Sequence, residues 1–303
     1  MKKSWSIVLF VLMVLSLCTI GVVGQNTEAP AKIRVGTQPW IGYGPWWIAQ
    51  EQGIFEKNGL EVELIDFIED KEVNAAFASG NMEAANIATH TALKLYSVGL
   101  DLKLVLLQDV STTADAILAG PEITAISDLS GKSVAFEEGT TSDLLLNYAL
   151  SQAGLTIADI NPVPMPASDA GAALLAGSVP ASVTYEPYIS EVLKNNSSLS
   201  ILYAANERPG LISDVLVVNT KWAEENPETL SKLLRCWDEA LAFYYENPQE
   251  GQAIIAKAVG AAPEDLVSAF EGVQFYSGEE NKTALADSFL ATIQDVAEVS
   301  KNI

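Results

Sequence analysis

Between residues 32 and 219, short stretches with the two-residue period of strands alternate with stretches that read as helices, and no other feature narrows the fold as much. Lys32–Gly36 alternates as a strand does and ends in a Gly, Pro and aromatic loop, Gln38–Pro45. A helix is predicted from Trp46 to Gln52, a strand over Glu61–Ile65, and a helix over Glu72–Ala78 closed by Ser79-Gly80. Strand Ala84–Ile87, helix Thr91–Ser97 and strand Leu102–Leu107 continue the series. Connections this short predict βαβ units, and hence an α/β chain with parallel sheets covered by helices on both faces.

The series restarts at Ala114–Leu118 and continues through the strand Ser133–Phe136, the amphipathic helix Ser142–Ala153, and the segments Pro162–Pro166, Ala170–Ala176, Ser182–Tyr185 and Pro187–Lys194. After Leu199–Ala204 and Asp214–Asn219 the texture turns almost wholly helical from Lys221 onward, with breaks at Asn226-Pro227, Asn247-Pro248 and Pro263. Those helices need a sheet to cover. The economical arrangement sends the chain through a second lobe and back to the first, with crossings near 110–114 and 205–214 that make a two-crossing hinge. The expected division is a signal peptide over 1–24, a tether over 25–31, lobe 1 from 32–112 plus 214–303, and lobe 2 from 113–213.

Lys2 and Lys3 followed by an apolar run from Ile7 to Val23 form the charged and apolar regions of an export signal. Val22 and Gly24 before Gln25 suit cleavage there; an uncleaved anchor is the alternative, and the body is exported in either case. Cys18 opens a third reading as a lipid-bearing cysteine, against which Leu17 occupies the position that wants Gly or Ala. Without that segment Cys236 is the sole cysteine, so no internal disulfide is available. A net charge of −22 repels nucleic acid and anionic lipid, but leaves open an anionic ligand held by local backbone dipoles.

Five segments together resemble the taurine, aliphatic-sulfonate and nitrate type of periplasmic solute-binding proteins, whose relatives also bind thiamine-pyrimidine precursors. They are Ile33–Gly36 with Pro45–Phe55, the turn Ala78–Glu83, Asp128–Ala135, the aromatic-Glu-Pro segment Tyr185–Tyr188, and Asp214–Val218. Each is common alone; their order and spacing are specific. The resemblance implies the type II periplasmic-binding-protein fold, a small organic ligand between two α/β lobes, an ABC permease and ATPase complex as partner, and a monomer.

In sheets of this kind ligands sit beyond the carboxyl ends of strands, where helix N-termini point free amides inward. The first such loop carries Trp40 and Tyr43, with Gly42 and Gly44 allowing close backbone approach; the same aromatics read equally as packing between lobes. The second carries Thr89, a helix cap or a ligand contact, and His90, the only histidine, read as a hydrogen-bonding wall. The third, Glu137, Glu138, Gly139, Thr140, Thr141 and Ser142, offers hydroxyls and amides to an anionic group, whereas an inward Glu, with Glu138 the candidate, favours a cation. The remaining candidates are Tyr185, Glu186, which is a helix cap or a ligand contact, and Asp214, which the resemblance places against a ligand amine.

Arginine informs by its scarcity. Arg34 lies in a strand and Arg235 on a late helix, which leaves Arg208 as the one able to enter the cleft, or equally as a hinge residue held by a surface carboxylate. If it does not, an amine-bearing or aromatic cation becomes attractive, with Trp40, Tyr43 and Tyr185 as π faces. A ligand-presenting sensor and an enzyme of the same fold are the rival functions. No Ser-His-Asp motif, metal-ligand spacing or Gly-x-Gly cofactor loop supports catalysis, a metal or a cofactor.

Overall fold

The computed structural model describes residues 31–300. The expected signal peptide with Cys18, and tether residues 25–30, lie outside them. The chain runs β1 (Ala31–Thr37), α1 (Gly44–Glu51), α2 (Ile54–Lys57), β2 (Leu60–Asp66), α3 (Asp70–Ala78), β3 (Ala84–Ala88), α4 (Thr89–Ser97) and β4 (Leu102–Ser111). Next come β5 (Asp115–Ala119), β6 (Ser133–Phe136), α5 (Thr141–Gln152), β7 (Asn161–Pro164), α6 (Ala167–Leu175), β8 (Ala181–Tyr185), α7 (Tyr188–Asn195) and β9 (Ser200–Ala204). The last third holds β10 (Ser213–Asn219), α8 (Thr220–Glu225), α9 (Pro227–Glu246), α10 (Pro248–Ala258), α11 (Val267–Glu271), β11 (Val273–Phe275), α12 (Gly278–Thr283) and α13 (Phe289–Ser300).

Two sheets result, one of six strands in the order β11-β4-β10-β3-β1-β2 and one of five in the order β7-β6-β8-β5-β9. They are mixed rather than parallel as expected. β10 runs antiparallel to β3 and β4, and β5 antiparallel to β8 and β9, while β1–β2, β1–β3, β6–β7 and β6–β8 are parallel. The reason is geometric: a strand that enters a sheet from the other one starts at the cleft and must run away from it. β5 and β10 are those two strands.

Buried Ile33, Val35, Trp46, Trp237 and Leu241 fill one face of the first sheet beneath α1, α9 and α10. Val73, Phe77, Ile87 and Val217 fill the other. Trp46 stacks on Phe55 with ring centroids 6.3 Å apart and donates from Nε1 to Asn86 Oδ1 at 2.9 Å. Leu144, Leu145 and Val183 pack one face of the second sheet and Ala170, Leu174 and Val192 the other. Buried Cys236 belongs to the first core, where burial pushes its thiol up to about 12.

The C-terminal region departs from expectation twice. Val273–Phe275 forms an edge strand against β4 within the stretch read as helical. Three residues give too short a period to read locally. The last helix also covers more than the first lobe: Phe289 packs into the core of the six-stranded sheet, while Val296 is buried in that of the five-stranded sheet. Helical periodicity marks an apolar face but not what that face meets.

Candidate ligand-binding site

The two chain crossings bring the carboxyl ends of the parallel strands of both sheets face to face. Between them lies a narrow cavity with only ≈ 10 Å³ of free space, lined by Gln38, Trp40, Tyr43 and Asp70 from segments following β1 and β2, Asp214 from β10, and Asp115, Thr141 and Tyr185 from the second sheet. That is room for about one water molecule, so a solute must part the walls to enter.

The loop after β1 turns its side chains inward because each finds a partner there. Trp40 Nε1 donates to Asp109 Oδ1 at 3.3 Å, Tyr43 OH to Asp214 Oδ1 at 2.8 Å, and Gln38 Nε2 to Asp70 Oδ1. A Cβ at Gly42 would stand 2.2 Å from Trp40 Nε1 and 2.3 Å from Asp109 Oδ2, so this glycine admits the Trp–Asp pair rather than a ligand. At Gly44 the crowding atom belongs to Ile255. Trp40 meets Tyr185 of the opposite lobe edge to face, centroids 5.8 Å apart at 87°. These aromatics therefore both line the cavity and pack the lobes together.

Strand register supplies the acids. Asp214 lies directly opposite Asp109 on β4, at a register shift that follows Asp214, and Asp115 opposite Tyr185 on β8. A bulge re-aims the strand end where Asp214 lines the cavity, while Asp109 is held by Trp40. Like charges opposite one another are unfavourable, and burial adds to the cost. Burial pushes Asp115 and Asp214 up to about 7; hydroxyls of Ser111 and Thr141 pull the first back, and the Tyr43 hydroxyl the second. Burial also holds Asp70 well above the carboxylate range, reinforced by Glu137, Asp214 and Asp115, and Asp109 likewise, reinforced by Asp214. No Lys or Arg is among the lining residues.

The NMT1/THI5 like family matches residues 40–251 of this sequence. The chain belongs to that family. The taurine-binding periplasmic protein of Escherichia coli (strain K12) is 22% identical over 264 residues, spanning 85% of this chain and 82% of that one. Among solved structures, the periplasmic aliphatic sulphonate binding protein SsuA from Escherichia coli superposes with a TM-score of 0.71 at 23% identity, over 89% of this chain and 97% of its own. The alkanesulfonate-binding protein SsuA from Xanthomonas axonopodis pv. citri, bound to MOPS, gives a TM-score of 0.70 at 22% identity, over 88% and 94%. The fold is that of periplasmic binding proteins.

Of the residues singled out from the sequence of this NMT1/THI5 like chain, Trp40, Tyr43, Thr141, Tyr185 and Asp214 line the cavity. The others do not. Thr89 spends its hydroxyl on Ser213 Oγ at 2.8 Å. His90 is buried in contact with the Gly139 carbonyl and lines a separate outer groove with Thr140; burial lowers its pKa to about 4, so it is neutral. Glu138 is exposed, and its neighbour Glu137 is the inward acid, accepting from Ala167 N at 3.2 Å. Thr140 caps α5 by accepting from Ser142 N at 3.3 Å, and Ser142 is buried behind the wall. Glu186 caps α7, accepting from Ser190 N and Oγ at 3.0 Å each. Arg208 pairs with Asp295 and Arg34 with Glu83, so neither guanidinium enters the cavity.

Sequence reasoning passed over Gln38 as a contact and missed Asp70, Asp109 and Asp115 entirely. Asp70 looks like a first-turn helix acid, satisfied by the dipole. A polar pair in the apolar strand run Leu102–Ser111, Gln108-Asp109, was the available signal for Asp109.

Proposed function

We propose that this chain is the extracytoplasmic solute-binding component of an ABC importer, capturing a small organic solute, a taurine- or sulfonate-like zwitterion or an amine, between its lobes. The observation that carries the reading is a buried polar cavity at which both sheets and both chain crossings converge. The family and the names of its relatives point the same way. Residues 32–112 plus 214–303 act as one lobe and 113–213 as the other, hinged at the crossings. Solute binds one lobe, and higher affinity for the closed form shifts the population toward it. The closed form is then read by a membrane permease and its ATPase. The chain works as a monomer without catalysis, a reading supported by the binding-protein names of its relatives. It is exported to the periplasm and either free or tethered through its N-terminal segment or Cys18; no helix among the described residues is long and apolar enough to cross a membrane.

A thermal-shift screen of the exported chain with taurine, alkylsulfonates, betaines and aromatic amines tests this. A bound solute at a hundred times its Kd adds about 2.7 kcal/mol of stability. The expected outcome is a raised melting point with at least one probe, accompanied by a smaller radius of gyration in X-ray scattering. A flat screen with unchanged scattering counts against a closing solute binder.

A further inference from the structure

Three side-chain donors of the first loop are already spent at the cavity, while two buried acceptors there remain open. Trp40 Nε1, Tyr43 OH and Gln38 Nε2 are committed to Asp109, Asp214 and Asp70. Asp115 Oδ2 and Gln38 Oε1, one from each lobe and both on buried residues lining the cavity, have no partner. Buried acceptors left open are costly, so an occupant that donates to both is favoured over one that accepts.

The loop that sequence offered to an anion is closed upon itself. Thr140 donates to the Glu137 carbonyl at 2.9 Å, and the Gly139 amide donates to Asp143 Oδ2 at 2.9 Å. The Thr141 hydroxyl lies against Asp115. The mouth of α5 thus already faces the chain's own carboxylates, and an incoming sulfonate would meet Asp70, Asp115 and Asp214 with no cation to offset them. A positive head suits the same three carboxylates, and the near-perpendicular Trp40 and Tyr185 rings offer it π faces.

We propose that the cavity recognises the protonated head of a small amine or guanidinium compound, whose N–H groups reach Asp115 from one lobe and Gln38 from the other, and that this head rather than an anionic end supplies the affinity. The proposal rests on the solute-binding reading and specifies its ligand class. It also gives closure a cause: burial makes ionising these acids costly, and a cation shared by the two lobes offsets that cost.

Calorimetry on the exported chain, first freed of any co-purified solute by unfolding and refolding, tests it with agmatine, putrescine, choline, taurine and ethanesulfonate. Agmatine or putrescine is expected to bind at least tenfold more tightly than taurine, with ethanesulfonate silent and choline, which lacks N–H groups, at least tenfold weaker. Asp115→Asn, nearly isosteric, is expected to weaken the amine at least tenfold, whereas rim Glu138→Gln leaves it unchanged. Taurine or ethanesulfonate binding more tightly than either amine overturns the proposal and leaves the solute-binding reading standing. Choline matching the amines overturns the N–H requirement. Silence from both amines with folded protein overturns the proposal, while mass spectrometry of the solute released on unfolding decides the solute-binding reading separately.

Discussion

The loops after β1 and β6 occupy equivalent places in the two sheets. Each is a strand-to-helix turn at the cleft with glycine and side chains suited to contact a ligand. They come out opposite. In the first, Gln38, Trp40 and Tyr43 reach across to acids on other elements and so form the cavity wall. In the second, Gly139 takes a φ of +80°, and Thr140 and Asp143 bond back to the loop itself, which finishes a helix start. Of its hydroxyls only Thr141 is left at the cavity. A loop is a binding loop when its polar groups are satisfied from outside it; residue types alone do not show this.

The contrast can be broken most severely at Trp40. Trp40→Ala removes a buried ring that touches both lobes and is expected to cost about 3–5 kcal/mol in urea unfolding, together with solute binding. Loss of less than about 1 kcal/mol would show that the first loop is not part of the core. The acids that this loop meets give the next effect. Asp115 and Asp214 sit at about 7 in the folded chain and below 4 when unfolded. Between those values the folded state holds the extra protons, so their contribution is full at low pH and is lost as pH rises through about 7.

The solute-free melting point is therefore expected to fall between about pH 5 and pH 8, a slope that the Asp115→Asn, Asp214→Asn double variant flattens. General charge repulsion slopes the same way, and the variant isolates the cavity's share; a slope that survives intact in the double variant locates the effect elsewhere. In the second loop, Thr140→Ala should cost about 1 kcal/mol as a lost helix cap, with amine affinity unchanged in calorimetry. A tenfold affinity loss there would make the two loops alike after all. Smallest of all, exposed Glu138→Gln is expected to stay within about 0.5 kcal/mol in the same urea titration.

Much of the fold was legible in the sequence. Strand and helix segments over 32–219, the point of restart near residue 114 and the return at Asp214 all have local signatures, because a strand or a helix writes its period into the residues it contains. Strand direction at β5 and β10 was not legible, since it depends on the side from which the chain enters a sheet. At the site, aromatics and Asp214 stood out as polar or bulky residues at strand ends. Asp70 was hidden as an ordinary helix-start acid. Asp115, at the start of the second series, became a site residue only when the crossing brought it beside Thr141 and opposite Tyr185.

What the sequence determined by itself was the α/β character, the family, the acidity and the shortage of arginine, all of which are properties of single residues or of near neighbours. Tertiary structure decided which carboxylates face one another and which donors are already taken. Asp70, Asp115 and Asp214 are scattered over 145 positions of chain, and only the meeting of two sheets places them around one void. Hydrogen-bond partnership and desolvation belong to pairs of groups in space, and it is those pairs that left the cavity with acceptors to fill.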